Sequence, residues 1–150
     1  MIEDFLRNMG IDFEVDHHEL AYTAQEEAAA EHVSGYQFAK TVIVTDGGEC
    51  HLIVIPAPYR VDLDKASSVI GREVRLARES EVRPLITDCD LGAEPPFGSI
   101  FQMNTYADFS LQEQEEITFR AGSHEKAIRM NLRDYLDLED PIIADLRAGT

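Results

Sequence analysis

The stretch from residue 37 to residue 57 narrows the fold more than any other part of the sequence. Two apolar segments, residues 37–45 and 49–57, flank Asp46-Gly47-Gly48. Glycine reaches positive φ without a Cβ clash, which tight hairpin turns demand, so the stretch predicts two antiparallel strands. The first reads Phe38-Ala39-Lys40-Thr41-Val42-Ile43-Val44 and the second contains Leu52-Ile53-Val54-Ile55. Strands this apolar are covered on at least part of both faces, which places the hairpin inside a layered sheet. Lys40 is the misfit, because an ammonium in a covered strand loses hydration unless it is paired or lines a wet cleft. Two readings follow. Its stem packs on the sheet while its head snorkels to water or to an acid. Alternatively it lines a functional cleft, where it binds an anion, polarises a carbonyl or ester, or, once desolvated, acts as base or nucleophile.

The rest of the pattern surrounds this hairpin with helices and further strands. Ile2, Phe5, Leu6 and Met9 have helical spacing and end at Gly10, and residues 12–18 alternate as a half-buried strand. Thr23-Ala24-Gln25-Glu26 is a capping box that opens an alanine-rich helix to about Val33. Asp62 caps a helix through Ile70 that Gly71 ends, residues 73–77 form a short strand, and Ser80 caps a helix carrying Val82, Leu85 and Ile86. Residues 100–103, 106–109, 116–120 and 126–130 read as strands of a meander. Asn131 then caps a helix over residues 132–138, and Pro141 starts a last one at 142–146. Strands and helices interleave irregularly rather than as strict βαβ units. The expected fold is therefore mixed α/β (α+β), with a central mixed, barrel-like sheet and outer helices. At 150 residues the expectation is a single domain, 1–150.

Charge limits the function classes. The chain carries 29 acidic residues against 13 lysines plus arginines, a formal charge of −16. Such a surface repels polyanions, which argues against broad nucleic-acid contact, so any such role rests on a local basic patch, a terminus of the nucleic acid or a partner that delivers it. The apolar runs are too short to span a bilayer, and the acidic N-terminus lacks the order of a signal peptide, so no membrane association and a cytoplasmic location are expected. Cys50 and Cys89 have no CxxC or histidine-spaced neighbour, which argues against a metal site and a disulfide framework. Adjacent His17 and His18 face opposite ways on a strand and do not make a two-ligand site.

Two further segments have the character of a site. Gly92-Ala93-Glu94-Pro95-Pro96-Phe97-Gly98-Ser99 is a stiffened loop: either a connection, or a frame holding backbone N–H groups around a substrate, with Phe97 in the core or on the pocket wall. Ala121-Gly122-Ser123-His124 is a β-turn whose histidine can reach a ligand or orient a water. A triad of Ser123, His124 and Asp108 is disfavoured, since adjacent Ser and His on a turn rarely face each other and no nucleophile-elbow sequence is present.

Taken in order, four segments resemble the YbaK/EbsC family, the prolyl-tRNA synthetase editing-domain-like superfamily. They are Tyr22-Thr23-Ala24-Gln25-Glu26-Glu27-Ala28-Ala29, Phe38-Ala39-Lys40-Thr41-Val42-Ile43-Val44, Gly92-Ala93-Glu94-Pro95-Pro96-Phe97-Gly98 and Phe119-Arg120-Ala121-Gly122-Ser123-His124. The resemblance implies a freestanding deacylase that hydrolyses a mischarged aminoacyl-tRNA, with Ala-tRNA(Pro) favoured and Cys-tRNA(Pro) next. It implies Lys40, Gly122 and His124 as catalytic residues. Tyr22, Thr23, Thr41, Gly92, Ala93, Pro95, Pro96, Phe97, Gly98 and Ser123 would bind substrate, with backbone N–H groups of the two turns stabilising the tetrahedral intermediate. Small residues at Ala39, Ala93 and Ala121 would limit the acyl pocket. The implied partners are the tRNA acceptor end and a synthetase, and no cofactor or metal is expected. Glu94 departs from the family pattern by placing a carboxylate in the loop. The rival readings are a non-catalytic relative binding a nucleotide-like or anionic ligand at Lys40, and an acidic protein-interaction module.

Overall fold

The computed structural model describes residues 1–17 and 34–149. The predicted hairpin is its centre. Strand β2 (Ala39–Thr45) pairs antiparallel with β3 (Cys50–Pro56), from Ala39 opposite Pro56 to Thr45 opposite Cys50. At the turn, the Asp46 carboxylate accepts the N–H groups of Gly48 (2.8 Å) and Glu49 (2.7 Å), and Gly47 has φ +95. Leu52, Ile53, Val54 and Ile55 are all fully buried, as a strand covered on both faces requires.

The sheet around this hairpin is mixed. On one side of β3 lies β5 (Thr105–Asp108), parallel to it, and then β8 (Ile142–Ala144), parallel to β5. The short strand β4 (Arg75–Leu76) pairs with Val44 and Thr45 on the other edge of β2. A second, antiparallel sheet runs β1 (Phe13–His17), β7 (Lys126–Asn131), β6 (Glu116–Arg120). The two sheets join where Phe38 bridges Thr118 and the Thr118 N–H donates to the Gln37 carbonyl at 3.2 Å. Between that bridge and the pairing of Val44 with β4, the outer edge of β2 has no strand neighbour among the described residues.

One core lies between the sheets, built from Leu6, Leu52, Val54, Ile128 and an aromatic cluster in which Phe97 meets Phe5, Phe119 and Tyr135 edge-on at 5.8, 5.7 and 5.1 Å. Edge-on contact sets the positive rim of one ring against the negative face of the next. A second core covers the other face of β2–β3–β5 with Val44, Ile53, Tyr106 and Leu146 against Ala66 of helix α2 (Leu63–Ile70). Asp62 caps α2 and Gly71 ends it in the left-handed region, as the sequence predicts. Helix α1 (Ile2–Asn8), strand β1 and helix α4 (Leu132–Glu139), capped by Asn131, also match their expected places.

Four local expectations are corrected. Residues 100–103 are not a strand: a 3₁₀ turn occupies Gly98–Phe101, closed by Gln102 at φ 60. The Gly98 N–H donates to Thr105 Oγ1 at 2.9 Å, which folds the segment back against β5. Residues 142–146 are not a helix. Two β-branched isoleucines there extend along the free edge of β5, and the Leu146 N–H is held by the buried Asp108 carboxylate at 2.8 Å. The predicted strand over 73–77 contracts to β4. The helix carrying Val82, α3 (Glu79–Val82), is capped at Arg78 rather than Ser80, with the Glu81 carboxylate taking the Arg78 N–H at 2.8 Å. The helix expected over residues 23–33, with Tyr22 and Thr23, lies outside the described residues. Among the described residues, no helix is long and apolar enough to cross a membrane.

Candidate active site

Lys40 stands near the start of β2, opposite Ile55 of β3. Strand alternation puts its side chain on the face of Val42 and Val44, and sends Ala39, Thr41 and Ile43 to the other face. The ammonium is half-buried, and burial, then repulsion from Arg60, pull it below the ordinary lysine range. Among the described residues it makes no ion pair or hydrogen bond, so no acid there accounts for its place.

The two loops flagged in the sequence are one unit. The Asp90 N–H donates to the Gly122 carbonyl at 2.8 Å, and the Gly122 N–H donates to the Ala93 carbonyl at 2.9 Å. His124 Nε2 reaches the Leu91 carbonyl at 2.9 Å, and Arg120 Nη1 donates to the Gly92 carbonyl at 2.9 Å. Gly92 (φ +84) and Gly122 (φ +88) both occupy the left-handed region that this clasp needs. Most of the N–H groups expected to face a reaction intermediate are thereby engaged within the protein. Gly92 donates to Glu94, Ala93 to Asp90, Gly122 to Ala93 and Gly98 to Thr105. Their part is to frame the loop rather than to bind an oxyanion.

The remaining predicted residues divide between frame and cleft. Phe97 is in the core and not on a pocket wall. Gly98 is fixed by packing, since a Cβ there would lie 2.4 Å from Thr105 Oγ1. Ala93, Pro95 and Pro96 are buried, and the Pro96 carbonyl accepts the Tyr135 hydroxyl at 2.7 Å. Ala121 belongs to the core between the sheets. Ser123 Oγ accepts the Glu125 N–H at 3.1 Å, while Asp108 is committed to Ser110 and Leu146, so Ser123, His124 and Asp108 form no triad.

What the structure does bring together is a cleft at the open edge of β2. A narrow neck of about 10 Å³ is lined by Phe38, Ala39, Lys40, Thr41, Gly92, Glu94 and Arg120. Through Thr41, Gly92 and Glu94 it continues into a trough of about 230 Å³ whose walls include Val42, Ile43, Ala77, Val82 and Leu91. The carbonyls of Gln37 and Ile43 point out along this edge, where they accept the N–H groups of Thr118 and Ala77. Alternate residues present their backbone to the same edge, so the N–H and C=O of Thr41 face the cleft. Thr41 Oγ1 is buried and has no hydrogen-bond partner among the described residues.

Glu94 and Arg120 are the site residues that sequence reasoning did not assign. Glu94 is 7% exposed, its Oε2 accepts the Gly92 N–H at 2.9 Å, and burial pushes its carboxyl above the ordinary range. Arg120 is 8% exposed at the end of β6. The signals were visible: an arginine closing an apolar strand, and an acid inside a Gly/Pro loop.

Other concavities are less suited to an anionic substrate. One of about 600 Å³ lies beside the hairpin turn and carries Glu49 and Glu81. Asp46, Glu49 and His51 there bring ligand atoms within 4.8 Å of one another, a spacing that suits a metal. Asp46 Oδ1 is nevertheless committed to the turn, and Oδ2 to His51 at 3.1 Å and Arg72 at 3.4 Å, so the cluster is accounted for as structure. Cys89 is no nucleophile, because burial, reinforced by Glu94, pushes its thiol up to about 12.

The fold and cleft define an α/β protein whose site offers a lysine, a carboxylate and an open strand edge, without a side-chain nucleophile–base pair among the described residues. The chain belongs to the aminoacyl-tRNA editing domain family, which matches residues 18–138, and it is by that membership an aminoacyl-tRNA deacylase. It is 30% identical over 148 residues to the multifunctional Ser/Thr-tRNA deacylase ProXp-y of Escherichia coli (strain K12), covering 95% of this chain and 88% of that one. Its fold matches a crystal structure described as a candidate trans-editing enzyme for prolyl tRNA synthetase, with TM-score 0.88, 27% identity, and coverage of 99% and 95% of the two chains. A hypothetical protein with TM-score 0.88 and 24% identity, covering 97% and 98% of the two chains, shares the same fold.

Proposed function

We propose that this deacylase removes a small amino acid from a mischarged tRNA in trans, taking seryl and threonyl esters ahead of the alanyl and cysteinyl esters that the family resemblance favours. The observation that carries the preference is the buried Thr41 hydroxyl in the cleft, which has no hydrogen-bond partner among the described residues. A site that hydrogen-bonds a substrate hydroxyl rejects analogues lacking it, because its own buried group is then left unpaired. ProXp-y, named for Ser/Thr-tRNA, supports the same choice.

In this reading the ester enters along the open edge of β2. Lys40 holds a phosphate or ribose oxygen of the terminal adenosine or polarises the ester carbonyl, and the Thr41 N–H supports the developing oxyanion. Water, oriented by a backbone carbonyl and the substrate's own 2′-OH, adds to the carbonyl carbon, and its proton passes through the 2′-OH to the departing ribose 3′-oxygen. The bond to the ribose oxygen then breaks, releasing amino acid and tRNA. An ester is already activated, so positioning supplies most of the acceleration. Gly122 and His124 act by holding the Gly92 loop. With a charge of −16 the protein reads the acceptor end alone or receives its substrate from a synthetase, and binding falls only shallowly with salt. We also read the chain as one domain, 1–150, working in the cytoplasm.

The test is deacylation of tRNAs charged with Ala, Cys, Ser, Thr and Pro by wild type and Thr41→Val. Seryl and threonyl turnover that falls about tenfold in the variant, with alanyl turnover little changed, supports the reading. A variant that loses all esters alike removes Thr41 from specificity.

A further inference from the structure

The buried and partly buried acids that hold hydrogen bonds within the described residues differ in one respect. Asp46 has His51, Arg72 and two backbone N–H groups, and Asp108 has the Ser110 N–H and hydroxyl and the Leu146 N–H. Glu139 holds Ser99 and Thr105. Glu94 takes the N–H of Gly92 in its own loop and makes no direct ion pair among the described residues, with Arg120 and His124 acting on it only through space. A carboxylate taken out of water without a direct ion pair is costly even with cations nearby, and a cationic ligand in contact with it lowers that cost.

We propose that Glu94 receives the α-ammonium of the aminoacyl ester, so that the enzyme selects esters with a free amino group and rejects N-blocked ones. The inference rests on the deacylase reading and adds the recognition element. Its geometric basis is that Glu94 lines both the narrow neck beside Lys40 and the trough walled by Val42, Ile43 and Leu91. In an aminoacyl ester three groups radiate from one Cα: the carbonyl, the side chain and the ammonium. With the carbonyl at the neck and the side chain in the trough, the Cα stands at their junction, where Glu94 lies. Lys40 and Glu94 line one neck without pairing to each other, because strand alternation directs Lys40 away from the Thr41 face. The site therefore keeps a cation for the ester or phosphate oxygens and an anion for the amine.

A purely structural Glu94 would serve only as acceptor for the Gly92 N–H, and glutamine performs that task equally. The experiment compares wild type and Glu94→Gln on seryl-tRNA and N-acetyl-seryl-tRNA, with circular dichroism of both proteins. Wild type is expected to favour the free amine by about tenfold or more in kcat/KM, the scale of one charge-assisted hydrogen bond. Glu94→Gln is expected to lose most of that preference by falling on the free amine, chiefly in KM. Equal turnover of both esters by wild type overturns the proposal without any variant, so a misfolded Glu94→Gln leaves it testable. Full preference retained in a folded Glu94→Gln also overturns it. Wild type that hydrolyses no aminoacyl ester overturns the deacylase reading itself, and this proposal with it.

Discussion

The two ends of strand β2 bury a carboxylate each, with opposite outcomes. At the hairpin end, Asp46 is held well below the usual carboxylate range, first by the N–H groups of Glu49 and Gly48 and then by His51. At the open edge, burial pushes Glu94 up, and the Gly92 N–H, with the charges of His124 and Arg120 behind it, only partly offsets it. Lys40 repeats the pattern with the other sign, half-buried and drawn down by burial. Where every charge is answered, burial makes a rigid turn. Where charges lack a direct partner among the described residues, as at Lys40 and Glu94, burial outweighs the help their neighbours give, and perturbed groups in a cleft are what a functional site requires.

Lys40→Ala tests this contrast most severely. Kcat/KM for deacylation should fall by about 10²–10³, the range for losing one preorganised electrostatic group. The thermal midpoint should hold steady, because the ammonium makes no ion pair among the described residues. Steady-state kinetics beside a thermal melt separates the effects, and a large loss of stability with a small loss of activity would make Lys40 structural.

Gly98→Ala comes next and probes the frame. The new Cβ would lie 2.4 Å from Thr105 Oγ1 and 2.8 Å from the Met103 carbonyl, and backbone does not yield easily. We expect a loss of about 1–3 kcal/mol in denaturant unfolding, the usual scale of overpacking. KM of the folded enzyme should be unchanged. A raised KM at full stability would return Gly98 to the substrate.

The central hairpin, the two cores' strands, the Asp62–Gly71 helix and Lys40 were legible because each is written in local chemistry: apolar runs, a glycine turn, a cap. The failures needed partners distant in sequence. Ile142 and Ile143 extend because β5 offers a free edge, and Gly98–Phe101 turns because Thr105 captures the Gly98 N–H. The site was half legible for the same reason. Lys40 is conspicuous in its own segment, whereas Arg120 and Glu94 acquire meaning only when the Gly92 and Gly122 turns clasp each other. The clasp also explains why the turns' N–H groups, plausible oxyanion donors in sequence, are occupied.

Two amide substitutions sharpen the comparison at smaller effect. Asp46→Asn keeps an acceptor for the turn N–H groups but loses the charge that His51 and Arg72 face. A depressed carboxyl contributes stability above its unfolded value of about 3.9, and loses it as pH falls through the folded value. Asp46→Asn should therefore lower the melting midpoint by a few degrees at pH 7 and progressively less in acid.

Glu94→Gln should do the reverse. A raised carboxyl binds its proton more tightly folded than unfolded, so stability is greatest below the unfolded value of about 4.3 and declines as pH rises through the folded value. Glutamine removes that decline while still accepting the Gly92 N–H. The variant should match wild type near pH 4 and melt about a degree or more higher at pH 8, on the scale set by a fraction of a kcal/mol. Scanning calorimetry of both proteins across that interval reads the sign directly. A gain in stability together with lost selectivity for the free amine would identify Glu94 as a charge kept at the expense of the fold for the sake of its ligand. A loss of stability at pH 8 would mean that the native protein already answers the charge, and the two ends of β2 would then be alike.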